Sequence, residues 1–248
     1  MDHYPSVDVY GEVPAGGATR QRPAIENVAM AVLGPMSQLV KWTMGLSPLF
    51  VRPCVVVLGY RSGREGPELL LTQRAGHMRT YASTWVFPGG HIDPGEEPAM
   101  AATREFEEET GQKMKADELE LIGTWQARVP HKLRQYIILI YAGKIENTEE
   151  PLALDPIEVQ SAAWIRKDIA KLLCCKEQPI GDVNIPVLTV PEEKKRLSLL
   201  EKKTGTVQAG TRIIQLHEKV MSVASMRRGL AAGHRFGVAV WLEKNKKL

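Results

Sequence analysis

Residues Gly90–Gly111 read GHIDPGEEPAMAATREFEEETG, and their punctuation decides how the rest of the chain is read. Gly89-Gly90 and Pro94-Gly95 mark a tight loop. Pro98 suits the first turn of a helix, where a missing N–H is harmless. Ala99, Met100, Ala101 and Ala102 form helix well or are small enough to pack closely. Gly111 suits the position just past a helix end. The segment therefore predicts strand, glycine loop, acidic helix and glycine stop. On that helix Glu105, Glu108 and Glu109 stand at i, i+3 and i+4 and share one face. Like charges so placed repel unless a cation lies among them. EFEEE taken alone reads as a solvated acidic face. The loop, the proline and the closing glycine favour a site for a hard divalent cation, because Mg²⁺ and Mn²⁺ take carboxylate oxygens.

Working outward, residues 1–23 are rich in proline and glycine and predict a flexible arm. Residues 24–48 show helical apolar spacing, interrupted at Gly34-Pro35, and predict a helical segment packing on the core. Arg52–Tyr60 is β-rich, with Val55-Val56-Val57-Leu58 as a buried strand. Ser62–Pro67 is a turn, and Leu69–Arg74 returns to make a hairpin. Trp85-Val86-Phe87 leads into the glycine loop. Leu119–Arg128 and Gln135–Ile145 predict two strands around a turn at Pro130-His131, the second central in the sheet. Asn147–Asp155 is a loop, Glu158–Ile165 a strand and Lys167–Leu173 a short helix. This order predicts the α/β class, a mixed sheet with helices on both sides in an α/β/α sandwich. In the tail, residues 191–203 and 211–223 predict amphipathic helices. The expected organisation is one domain over 49–248, with these helices as a C-terminal extension, either a lid or a packing element.

With 44% hydrophobic and 25% charged residues the composition is that of an ordinary globular domain. A net charge of +3 is too small to imply nucleic-acid binding by itself. Cys54, Cys174 and Cys175 provide no paired framework and no CxxC spacing, which fits a reducing compartment. No apolar run approaches a membrane span, and the N-terminus lacks the features of a secretory signal. The expected location is cytoplasmic. The terminal Lys246-Lys247-Leu248 shares two positions with a peroxisomal address but not the first, and reads rather as a solvated basic tail.

The segment resembles the Nudix box, G-x5-E-x7-R-E-U-x-E-E-x-G-U, where U is a bulky aliphatic residue. Gly90, Glu96, Arg104, Glu105, Glu108, Glu109 and Gly111 match in type and spacing. Phe106 and Gln112 depart from it, both at packing positions. The resemblance implies a Nudix-type sandwich and an enzyme that hydrolyses a nucleoside diphosphate linked to another moiety, using Mg²⁺ or Mn²⁺ and water. It implies that Glu105, Glu108 and Glu109 supply carboxylates to metal. Glu108 or Glu109 instead orients or deprotonates the water in an equally open reading. Arg104 is then expected to hold a glutamate in place, Glu108 at i+4 or Glu96 from the loop. Gly90 is expected to offer its carbonyl to the metal. Glu158 either completes the metal site or is an exposed glutamate at a strand edge.

Upstream, LLTQRAGHMRTYASTWVFPGG is partly similar to the signature of coenzyme A diphosphatases. Leu70, Leu71, Thr72, Arg74, Arg79 and Phe87–Gly90 fit, whereas Ala75, Met78, Tyr81, Ser83 and Trp85 depart. Arg74 and Arg79 are candidates to bind substrate phosphates. A longer resemblance, over roughly residues 52–248 and carried by TxRA…STWVFPGGH, GTW, EVQSAAW and the terminal GHRFGVAVWL, is to the animal Nudix type motif 17 subgroup. It implies hydrolysis of mRNA caps and related dinucleotides. Cap binding calls for aromatic stacking on a base, and Trp85, Trp125, Tyr81 and Tyr136 are candidates. His91, His77 and His131 read as polar loop histidines. The expected partner is a small nucleotide substrate or capped RNA, and family analogy suggests a homodimer. A non-catalytic nucleotide-sensing module is the alternative. Such modules usually have a damaged box, and this box keeps every carboxylate.

Overall fold

The computed structural model describes residues 10–12, 51–129, 134–174, 181–196, 199 and 215–245. The helical segment expected over residues 24–48 lies outside them. The chain forms an α/β/α sandwich around one nine-stranded mixed sheet. Its strands are β1 (Tyr10–Glu12), β2 (Val51–Gly63), β3 (Gly66–Arg74), β4 (Trp85–Val86), β5 (Glu120–Val129), β6 (Arg134–Lys144), β7 (Val159–Arg166), β8 (Asn184–Thr189) and β9 (His217–Ser222). Helices α1 (Pro98–Thr110), α2 (Lys167–Cys174), α3 (Val223–Gly229) and α4 (Ala232–Lys244) cover its faces. The strand order is β1-β5-β6-β2-β3-β7-β8-β9, with β4 paired to β3. The β2–β6 pair is parallel, and the other named pairs are antiparallel.

The unbroken apolar run of β2 follows from burial on both faces. Val55 and Val57 pack beneath α1 with Leu70, Ala101, Ala102, Phe106 and Leu154. Val56 and Leu58 face the opposite layer, where Phe87, Ile140, Ile169, Leu173, Val238 and Trp241 bring in α2 and α4. Alternating side chains of one strand thus join two cores. Helix α1 starts with Pro98 at its first turn and stops at Gly111, whose φ of 72° lies in the left-handed region.

Both departures from the box consensus are compensated elsewhere. The Phe106 ring is fully buried and sits over Gly59, where a Cβ would fall 2.3 Å from its Cζ. Gln112 is also buried, but its Nε2 donates to the carbonyls of Glu150 and Pro151, both at 3.2 Å. A buried amide with partners is tolerated where an unpaired one is not.

The tail departs from expectation. Residues 211–223 do not form one helix. His217–Ser222 is strand β9, paired with β8 along its whole length from His217↔Thr189 to Ser222↔Asn184. Leu216, Val220 and Val223 have helical spacing, but pairing to the otherwise open edge of β8 outweighs that local preference. The helix begins only after Ser222, whose side chain accepts the Ser225 N–H at 3.2 Å. The C-terminal extension therefore contributes two strands as well as helices. Residues 192–196 are helical as expected. Within the N-terminal stretch read as an arm, Tyr10–Glu12 pairs with β5.

The Gly59–Phe106 contact predicts that Gly59→Ala destabilises the protein by about 1–3 kcal/mol through overpacking. Phe106→Leu in the same chain should recover much of the loss. Urea unfolding of the two single variants and the double variant measures this coupling directly.

Candidate active site

The site forms where β2 and β3 part. These strands pair from Tyr60↔Leu69 to Gly63↔Gly66. Further along β2, the loop after β4 takes β3's place. Val57 N–H donates to Pro88 O and Val55 N–H to Gly90 O, both at 2.9 Å. Gly89, at φ 153°, passes so close that a Cβ would lie 2.2 Å from Val55 O. A Cβ on Gly90 would lie 2.5 Å from the Glu105 carboxylate. Both glycines are required by close approach, the first to a strand and the second to a side chain. The Gly90 carbonyl, expected to face metal, accepts the Val55 N–H and keeps one lone pair.

Arg104 organises the acidic helix. Its Nε and one terminal nitrogen grip Glu96 in a bidentate pair at 2.8 and 3.0 Å. Its other terminal nitrogen donates to Glu105 at 3.0 Å and Glu108 at 3.2 Å. The His91 carbonyl accepts a further bond at 3.2 Å. The bidentate fork makes the loop residue Glu96 the strongest partner. Arg104 holds the Glu96 carboxyl below the usual range, aided by the Asp93 amide.

The three glutamates have distinct surroundings. Glu108 is 56% exposed. The Glu105 side chain is 15% exposed, and burial raises its pKa despite Arg104, with the charges of Glu108 and Glu158 adding to the rise. Glu109 is 4% exposed and accepts the Gly89 N–H on Oε1 at 3.3 Å. Burial, followed by the charge of Glu158, pushes its carboxyl up to about 8 against the pull of Arg74 and the Gly89 amide. Glu158 stands in the turn entering β7 and is partly buried. Its carbonyl accepts the Ala75 N–H at 2.8 Å, tying the loop after β3 to the site.

The structure thus brings Glu96, Arg104, Glu105, Glu108, Glu109 and Glu158 around the Gly89-Gly90 loop. Arg74 lies within electrostatic reach of Glu109, and its buried Nε has no hydrogen-bond partner among the described residues. Arg79 is exposed on the following loop. Trp85 and Trp125 are 1% and 6% exposed. They are core residues, so neither offers a face to a base. Tyr81 is 50% exposed, and partly buried Tyr136 lies 6.3 Å from the His91 ring, centroid to centroid. The sequence reading missed His234 on α4. Its Nδ1 accepts the Phe87 N–H at 3.0 Å, just before the glycine loop. The only signal in the sequence was a histidine in GHRFG that no core pattern required.

Residues 51–180 match the NUDIX domain, more than half of the 248-residue chain. The chain belongs to the NUDIX family. It is 25% identical over 188 residues to the Xenopus laevis m7GpppN-mRNA hydrolase NUDT17, a match covering 71% of this chain and 61% of that protein. The Danio rerio protein of the same name is 34% identical over 116 residues, 42% of this chain and 39% of its own. Human diphosphoinositol polyphosphate phosphohydrolase 3-beta is 32% identical over 120 residues, 48% of this chain and 66% of its own. The matches span under two thirds of the length of these relatives. A solved MutT/nudix family protein from Enterococcus faecalis is 16% identical, covers 91% of this chain and 75% of its own, and has a TM-score of 0.48. Among the described residues of this NUDIX chain, no helix is long and apolar enough to cross a membrane.

The buried carboxyl makes stability depend on pH. Folded Glu109 holds its proton to about pH 8, whereas the unperturbed value is 4.5. Between those values the folded state binds more protons than the unfolded one, so its stability falls as pH rises. Metal-free protein should therefore lose Tm between pH 5 and 8. Glu109→Gln should remove most of that slope. A thermal-unfolding series across this pH range, in chelator, measures both.

Proposed function

We propose that this NUDIX chain is a divalent-metal-dependent hydrolase that cleaves the diphosphate linkage of a nucleoside diphosphate derivative by attack of water on phosphorus. One observation carries the reading. Buried and half-buried carboxylates of Glu105, Glu109 and Glu158 crowd one another beside the glycine loop, while Arg104 holds Glu105 and Glu108 from the other side. Carboxylates that raise one another's proton affinity in a low-dielectric setting form a donor set suited to a hard cation.

Glu105, Glu109 and Glu158 would hold Mg²⁺ or Mn²⁺, with Glu108 and the Gly90 carbonyl at the margin. Among the described residues no group of three or more His, Cys, Asp or Glu side chains is placed to hold a metal ion by itself. Mg²⁺ needs fewer, because it keeps several waters and takes one or two carboxylates together with substrate phosphates. When bound, the cation neutralises diphosphate charge and lowers the pKa of a water. The chain's own residues supply position. Arg104 keeps Glu105 and Glu108 from swinging away. Glu109, with Oε1 engaged by the Gly89 amide, would have Oε2 left for the cation, and solvated Glu108 would be left to orient or deprotonate the attacking water. Arg74, within electrostatic reach of Glu109, would add positive charge for a substrate phosphate, and Arg79 adds positive charge at the rim.

Within this class, a cap-type m7GpppN dinucleotide is the substrate we favour over coenzyme A or a diphosphoinositol polyphosphate. Alignment to the NUDT17 hydrolase over 71% of the chain supports it. So does the Tyr136–His91 aromatic pair beside the loop, which suits stacking of a base. Hydrolysis of a panel of these compounds with Mg²⁺ and with Mn²⁺ tests the reading. Wild type should cleave m7GpppA, and Glu105→Gln should lower the rate at least about a hundredfold. An unchanged rate would remove the site from the chemistry. Binding of the panel without turnover would favour a nucleotide-sensing module.

A further inference from the structure

Strand β4 is two residues long, and its pairing to β3 (Thr72↔Val86, Gln73↔Trp85) secures one edge. The segment entering α4 secures the other. Leu230 forms a parallel bridge with Trp85, and Ala231 N–H donates to Trp85 O at 3.2 Å. Two residues after Trp85, Phe87 N–H donates to His234 Nδ1 at 3.0 Å. The two rings stack, with centroids 6.0 Å apart and planes at 29°. From Phe87 the chain runs straight through Pro88 to Gly89, whose amide holds Glu109.

We propose that His234 is a positioning residue of the active site: its Nδ1 anchors the Phe87 amide and thereby sets the Gly89 N–H against the Glu109 carboxylate. The catalytic consequence rests on the function proposed above. The anchoring itself rests on geometry. His234 lies beyond residues 51–180, the part that matches the NUDIX domain, so this contact comes from the C-terminal extension. An accepting Nδ1 requires a neutral ring with its proton on Nε2. Burial, followed by the charge of Arg74, pushes the imidazole down to about 4, which keeps it neutral at physiological pH. Packing alone calls for bulk at this position, not for an acceptor.

Three substitutions separate anchoring from packing. His234→Asn keeps an acceptor oxygen close to where Nδ1 stands. His234→Gln carries its acceptor one carbon further out, and His234→Leu keeps bulk with no acceptor. His234→Asn should preserve slow exchange of the Phe87 and Gly89 amides, read by NMR, along with Mn²⁺ affinity and most of kcat. His234→Gln and His234→Leu should lose that protection, bind Mn²⁺ more weakly and lower kcat about tenfold or more with little change in KM. Three results overturn the proposal: equal amide protection and Mn²⁺ affinity in all three variants, loss of fold in His234→Asn, or loss of fold alone in both acceptor-poor variants. Wild type that hydrolyses nothing in the panel would sink the functional reading, while amide exchange and Mn²⁺ affinity still decide the role of His234.

Discussion

Gly89 passes strand β2 at a distance that leaves no room for a side chain, and the arrangement of the site depends on that approach. Because the loop lies against Val55 and Val57, it occupies the wedge between diverging strands and is hydrogen-bonded like a strand. Gly90, next in the chain, is pressed by the Glu105 carboxylate. Two successive residues without side chains thus bring sheet, loop and helix α1 to one place. Either one enlarged would push the acidic helix away from the backbone it faces.

The electrostatics follow from that crowding. Glu96, Glu105, Glu108, Glu109 and Glu158 gather around the guanidinium groups of Arg104 and Arg74. Arg104 is fully engaged, and its fork turns what would be a repulsive helix face into an ordered one. Glu109 lies on the inner side of that face and meets low dielectric with no ion pair among the described residues, so its proton affinity rises. Exposure therefore separates the surroundings of three glutamates that are chemically identical. The outer one stays solvated, the middle one is shared with Arg104, and the inner one is held by backbone.

Local signals were legible in the sequence. Pro98 and Gly111 bounded α1 because helix ends depend on neighbouring residues alone. Val55–Leu58 was legible as a buried strand because its apolarity is continuous. That Arg104, Glu105, Glu108 and Glu109 stand together beside the glycine loop was legible because loop and helix spacing bring them there. Long-range compensation was not legible. Nothing near Phe106 announces that Gly59, far upstream, makes room for its ring. Nothing near Gln112 shows that two carbonyls forty residues on accept its amide. Strand β9 was misread because the apolar residues of 211–223 fit a helical stripe, and only the open edge of β8 decides otherwise. Trp85 and Trp125 looked available to a base because sequence does not reveal which aromatic residues the core absorbs.

The bond between Phe87 and His234 joins residues 147 apart, which has a consequence during synthesis. A nascent chain that has reached the end of the NUDIX-matched segment can pair β2, β3, β6 and β7, yet β4 still lacks the partner of its outer edge. Closing so long a loop carries an entropic cost that local structure does not relieve. The glycine loop then receives this support only when α4 leaves the ribosome. Anchoring of the loop is therefore tied to synthesis of α4, and a chain released before that helix would carry the acidic helix without the anchored loop.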